Sequence, residues 1–118
     1  MASTILCVDD NVLALSARHG VLERAGYKVV SARTASMARR LFASRHFDLV
    51  ITDHYLGHSI TGDELAGQLK KLNPETPILW FSASAEDPTH PEYVDGVVHK
   101  TDRLADLFNE IDRLLRQP

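Results

Sequence analysis

The 118-residue chain has a single cysteine, Cys7, so no internal disulfide can hold it and the fold must stand on its core. Cys7 lies in an apolar run and reads as a small buried hydrophobe rather than a nucleophile. No apolar run approaches the roughly 20 residues that span a bilayer. The N-terminal Met1-Ala2-Ser3-Thr4 lacks the basic-then-apolar pattern of a signal peptide, so a cytoplasmic location is expected. There is no basic excess either. Net charge is −3, and Arg39, Arg40, Arg45 and His46, the densest basic group, read as a solvated helix face; nucleic acid is not an expected partner. The glycines form no phosphate-binding motif, although Gly57 and Gly62 bracket a loop suited to mobility. Repeats, low-complexity segments and linkers are also missing. Hydrophobic residues at 44% and charged residues at 25% are ordinary for a globular protein, and the length fits one domain over residues 1–118, with no room in the chain for an output domain.

Short apolar runs alternate with helix-period segments. Ile5-Leu6-Cys7-Val8 suits a strand buried on both faces. Asn11 to Ala25 is helical, with Ala14, Ala17, Val21 and Leu22 near one stripe and Gly26 closing it. Tyr27 to Ala32 reads as a second strand. Thr34 caps a helix bearing Met37, Ala38, Leu41 and Phe42. Asp48 to Asp53 is the clearest strand, followed by a loop from His54 to Thr61. Gly62 to Leu72 is helical, with Leu65, Ala66, Leu69 and Leu72 on one face, and Asn73-Pro74 ends it. Ile78 to Phe81 and Val97 to His99 are strands, and Thr101 caps a last helix with Leu104, Leu107, Phe108, Ile111, Leu114 and Leu115. The β-α alternation predicts an α/β fold: a doubly wound, five-stranded parallel sheet with helices on both faces.

Ligands of open α/β sheets bind outside the carboxyl ends of the strands. At those ends stand Asp9 and Asp10, then Asp53, then Ser82 and Ala83, then Lys100. Taken singly, Asp9 and Asp10 could be helix N-caps, Asp53 a loop acid and Lys100 a surface charge. Together they place three carboxylates, a hydroxyl and an ammonium on one rim. Packed carboxylates repel, so each must take up a proton or find a cation. Hard oxygen ligands suit Mg²⁺, which shares substrate phosphate oxygens, and an Asp can attack phosphorus to form an acyl phosphate.

Val8-Asp9-Asp10-Asn11, Leu49-Val50-Ile51-Thr52-Asp53, Phe81-Ser82-Ala83 and Lys100 resemble, in this order and spacing, the receiver domains of bacterial two-component response regulators, over nearly the whole chain. The resemblance implies the flavodoxin-like strand order 2-1-3-4-5. It implies Asp53 as phosphoacceptor, Asp9 and Asp10 as the acidic pair for Mg²⁺, with Asp10 the direct ligand, and the backbone carbonyl of Tyr55 as a further metal ligand. Lys100 would pair with a phosphoryl oxygen, Ser82 would hydrogen-bond another, and the His54 and Ala83 N–H groups would cradle the group. The donor would be a sensor histidine kinase or a histidine phosphotransfer protein, docking near Leu13 and Leu15, which lie off the main core stripe. The downstream target stays open. Two other readings remain: a degenerate receiver acting as a binding module, and a small Mg²⁺-dependent aspartyl phosphatase.

Three features depart from that family's pattern. Thr101, not proline, follows Lys100; a non-proline cis bond costs roughly 2.5–4 kcal/mol, so a trans bond and a shifted loop are predicted. Val97 stands where an aromatic switch residue is usual. Only 17 residues separate Ser82 from Lys100, and they include Pro88 and Pro91, so the fourth helix, between the fourth and fifth strands, is predicted to be shortened or absent. Of six histidines, none has close metal-ligand spacing on a helix, and zinc is not expected. His54, directly after Asp53, reads as a solvent-facing loop residue that could otherwise shape entry to the site or the lifetime of the phosphoryl group.

Overall fold

The computed structural model describes residues 2–57, 60–82, 87–100 and 102–116. The strands are β1 (Thr4–Val8), β2 (Lys28–Ala32), β3 (Leu49–Thr52), β4 (Ile78–Ser82) and β5 (Gly96–His99). The α-helices are α1 (Val12–Arg24), α2 (Ala35–Ser44), α3 (Gly62–Leu72) and α4 (Leu104–Arg116). The sheet is parallel throughout, in the order β2-β1-β3-β4-β5. Among the described residues no helix is long and apolar enough to cross a membrane.

Side chains alternate across a strand, so each central strand feeds two cores. Leu6, Val8, Val50 and Ile78 pack against Ala35, Ala38 and Phe42 of α2 and Leu65, Ala66 and Leu69 of α3. Ile5, Cys7, Leu49, Ile51, Leu79 and Val98 face the other way, onto Leu15 and Leu22 of α1 and Leu107, Ile111 and Leu114 of α4. Burial pushes the Cys7 thiol up to about 12, in keeping with an inert core residue.

The helix faces differ in detail from the sequence expectation. In α1 the buried stripe is Leu15, Arg18 and Leu22, while Ala17 is exposed and Ala14 and Val21 are half-buried. Leu15 is therefore a core residue, whereas Leu13 is 83% exposed. Met37, Leu72 and Leu104 are also exposed. Thr34 caps α2 as expected, accepting from the Met37 N–H, and Gly26 takes a positive φ of 101° after α1. Asn11, not Asp9 or Asp10, caps α1 by accepting from the Ala14 N–H. Helix α4 begins at Leu104, and the Asp106 carboxylate in its first turn reaches back to accept from the Arg103 N–H. Thr101 itself, and with it the Lys100–Thr101 peptide bond, lies outside the described residues.

Between β4 and β5, described residues 87–95 carry a single turn of 3₁₀ helix, Pro91–Tyr93. Carboxylates staple this connection down. Asp63, at the start of α3, accepts from the His90 N–H at 2.8 Å and from the Thr61 hydroxyl. Asp95 accepts from the Ile78 N–H at 2.8 Å and from Lys70 Nζ at 2.7 Å. The Tyr93 ring packs closely against Gly67, where a Cβ would come within 2.9 Å of it. Val97, facing this side of β5, stays 38% exposed.

Burial pushes the Asp63 carboxyl up, but hydrogen bonds from Thr61, His90 and Thr89 outweigh it and hold it down to about 2. Its stabilising effect is full above the ordinary carboxylate range and is lost as pH falls from about 4 to about 2. Asp63→Asn is therefore expected to lower stability near pH 7 by about 2 kcal/mol, with the gap closing in that acid window. Urea unfolding of both proteins across the window checks this; a gap that persists at the acid end would contradict it.

Candidate functional site

Each strand of the central pair ends in an acid whose backbone continues the sheet ladder. The Asp9 N–H donates to the Ala32 carbonyl at 3.2 Å, and the Asp53 N–H to the Val8 carbonyl at 3.1 Å. The Lys100 N–H donates to the Ser82 carbonyl at 2.8 Å. The backbone thus fixes where these side chains start before any of them pairs. Asp9, Asp10 and Asp53 each offer a carboxylate oxygen within 4.8 Å of the others. Asp9 is fully buried, Asp53 half-buried and Asp10 exposed.

The cations arrange themselves around that cluster. Lys100 Nζ lies 3.1 Å from Asp9 Oδ2 and 3.6 Å from Asp53 Oδ2. Arg18 Nη2 reaches the same Asp9 oxygen at 3.2 Å. The other Asp9 oxygen accepts from the Asn11 N–H at 3.0 Å. Asp53 Oδ1 accepts from the His54 N–H at 2.8 Å, which leaves Oδ2 toward Lys100. Phe81 forms an apolar wall beneath both cations, its centroid 4.7 Å from the Arg18 guanidinium carbon and 5.8 Å from Lys100 Nζ.

Asp9 and Asp53 respond in opposite directions. Burial pushes Asp9 up, but the Asn11 N–H, Lys100 and Arg18 together hold its carboxyl below the usual range. Burial pushes Asp53 up and the Asp9 charge adds to it; Lys100, the His54 N–H and Arg18 pull down without cancelling the rise. Of these two, Asp53 is the carboxylate whose charge the site satisfies less. A hard oxygen donor set gathered this closely, with one acid still short of positive charge, is compatible with Mg²⁺.

Close packing sets the floor of the site. The N-terminus of α3 passes so near the end of β3 that a Cβ at Gly62 would run into the Asp53 carbonyl oxygen. The Gly62 N–H donates to the His54 carbonyl at 2.7 Å, and Thr61 bridges Tyr55. Thr61 and Glu64 form a reciprocal capping box that fixes where α3 starts.

The structure brings Asp9, Asp10, Asp53 and Lys100 together at the strand ends, with Ser82 buried at the end of β4. Tyr55 lies in the following loop with its ring exposed. Ala83 falls outside the described residues. The solvent-facing reading of His54 is corrected: the residue is 6% exposed, its ring 5.4 Å from Trp80 and 4.4 Å from Tyr55, both edge-on. Trp80 pairs in register with Thr52, and this neighbour across the sheet buries the loop residue. Arg18 is the functional candidate that sequence reasoning missed. Its place three residues after Leu15 and four before Leu22 was the available signal.

The sequence matches the family described as Response regulator receiver domain over residues 5–112. It is 35% identical to the sensor histidine kinase AruS of Pseudomonas aeruginosa across 90% of this chain and 11% of that protein. It is 36% identical to the nitrogen assimilation regulatory protein NtrX of Azorhizobium caulinodans across 70% of this chain and 18% of that one. The chain thus spans less than a fifth of either relative's length. The structure is similar to the response regulator protein TrrA of Thermotoga maritima, solved with Mg²⁺ and BeF, at a TM-score of 0.88 and 26% identity, covering 95% of this chain and 98% of that one.

Because the folded protein raises the Asp53 pKa above its ordinary value, its charge costs stability progressively as pH rises from the ordinary carboxylate value to the raised one and in full above that, and the cost is absent at acid pH. Asp53→Asn is therefore expected to raise the Tm of the metal-free protein at neutral pH and to leave it unchanged well below the carboxylate range. Adding Mg²⁺ should stabilise the original chain more than the variant. Thermal unfolding by circular dichroism checks the sign; a destabilised variant at neutral pH would contradict it.

Proposed function

The chain belongs to the response regulator receiver domain family, and on that premise we propose that it accepts a phosphoryl group from phosphohistidine onto Asp53, as the receiving member of a two-component phosphorelay. The observation that carries this reading is the placement of Lys100 Nζ between Asp9 and Asp53 at the head of a three-carboxylate cluster. Residues 1–118 act as one receiver domain in this reading.

An Asp53 carboxylate oxygen attacks phosphorus, the P–N bond to the donor imidazole breaks, and the ring nitrogen leaves with the electron pair. The product is an aspartyl phosphate. Slow hydrolysis follows when water attacks the same phosphorus, the P–O bond to Asp53 breaks, and phosphate departs. Lys100 is already close to both acids and needs little movement to pair with a phosphoryl oxygen. The His54 N–H, now on Asp53 Oδ1, and the Ser82 hydroxyl supply hydrogen bonds to the others. Asp9, Asp10, Asp53 and the Tyr55 carbonyl would hold Mg²⁺, which when bound neutralises phosphoryl oxygens.

The donor would be a sensor histidine kinase or a histidine phosphotransfer protein. Leu13, exposed in the first turn of α1 next to the acidic cluster, offers it an apolar contact. A cytoplasmic location goes with such a partner.

Incubation with acetyl phosphate and Mg²⁺, followed by intact mass measurement, tests the assignment. One added phosphoryl group is expected in the original chain and none in Asp53→Asn. Omitting Mg²⁺ should also prevent it. No modification with any donor would instead indicate a binding module, and rapid turnover of many phosphoesters a phosphatase.

A further inference from the structure

Arg18 is a permanent charge in the middle of the core-facing stripe of α1, between Leu15 and Leu22. Its side chain is 6% exposed, so the guanidinium is inside the protein. It is wedged between the Phe81 ring and Asp9 Oδ2, and its Nη1 atom is buried without a hydrogen-bond partner. A buried guanidinium half-satisfied in this way is costly unless its charge is needed where it stands. The planar group lies against Phe81 while donating from its edge to Asp9.

Two cations therefore share one oxygen of Asp9, and they are not equivalent. Lys100 also approaches Asp53, whereas the Arg18 contact in the site is to Asp9. Three carboxylates against Lys100 alone would leave two uncompensated negative charges; with Arg18 the site carries one. A less negative pocket attracts a divalent cation less and repels a phosphoryl dianion less. If Lys100 swings from Asp9 toward a phosphoryl oxygen, Asp9 is not left bare, because Arg18 stays on it.

We propose that Arg18 is a resident counter-cation of Asp9 that weakens Mg²⁺ binding in the resting pocket and strengthens retention of the phosphoryl group by freeing Lys100 to leave Asp9. Arg18 is a positioning residue in this role, and the inference rests on the reading of Asp53 as acceptor.

Opposite signs on two ligands separate this role from a structural one, since a perturbed fold would weaken both. Calorimetric titration of Mg²⁺, at low ionic strength, and then of beryllofluoride at saturating Mg²⁺, reads the two affinities. Arg18→Met keeps the aliphatic contact with Phe81 and removes the charge. It is expected to bind Mg²⁺ about fivefold or more tightly and beryllofluoride about fivefold or more weakly. Arg18→Lys retains the charge and should stay within about twofold of the original chain for both. It serves as the deciding variant if Arg18→Met does not fold by circular dichroism. A folded Arg18→Met with unchanged or weaker Mg²⁺ binding, or with undiminished beryllofluoride binding, overturns the proposal. So does an Arg18→Lys protein shifted well beyond twofold on either ligand. If the original chain binds no beryllofluoride, or Asp53→Asn binds it equally well, the acceptor reading itself fails and takes this inference with it.

Discussion

Three carboxylates held within 4.8 Å of one another repel, and much of the local structure is arranged around that repulsion. The sheet imposes the proximity: β1 and β3 are neighbours in parallel register, and their last residues hand over directly to Asp9 and Asp53. Lys100 offsets part of it from the end of β5, two strands away, and Arg18 another part from inside α1. What is left falls on Asp53, the acid that burial and the Asp9 charge both push toward protonation. An acid in that condition gains from any cation or charge-spreading modification. The same fact that makes the resting site uncomfortable makes it receptive.

The other end of the chemistry is a connection to the rest of the molecule. Gly62 sits against the Asp53 carbonyl, and the next residue, Asp63, holds the His90 N–H. A short run of backbone therefore links the acceptor loop to the β4–β5 connection. In the described residues that connection relies on Asp63, Asp95 and the Tyr93–Gly67 contact, with one 3₁₀ turn. Val97 provides no aromatic ring on β5. Asp53 is thereby tied to the start of α3 through Gly62 and Asp63.

The strand-end rule made Asp9, Asp10, Asp53, Ser82 and Lys100 legible without any structure, because the carboxyl ends of parallel strands leave few places for a polar rim. The sheet and the four α-helices were legible for the same reason, and the two prolines fit the single 3₁₀ turn, Pro91–Tyr93, among the described residues between β4 and β5. Single residues whose burial depends on a distant partner were not. Arg18 reads as a surface charge until Asp9 and Phe81 are seen to enclose it. His54 reads as a loop residue until Trp80 is placed beside it. The α1 stripe was assigned to small residues because Ala14 and Ala17 fit helical spacing as well as Leu15 does; only the position of the sheet decides between the two faces.

The central claim is that Asp53, and neither of the neighbouring acids, carries the phosphoryl group. Borohydride reduces an acyl phosphate to the corresponding alcohol, so it converts a phosphorylated aspartate to homoserine and leaves free carboxylates intact. After incubation with a phosphohistidine donor or acetyl phosphate, reduction and peptide mapping by mass spectrometry should find homoserine at position 53 alone. Homoserine at position 9 or 10, or a stably phosphorylated protein with none at position 53, would contradict it.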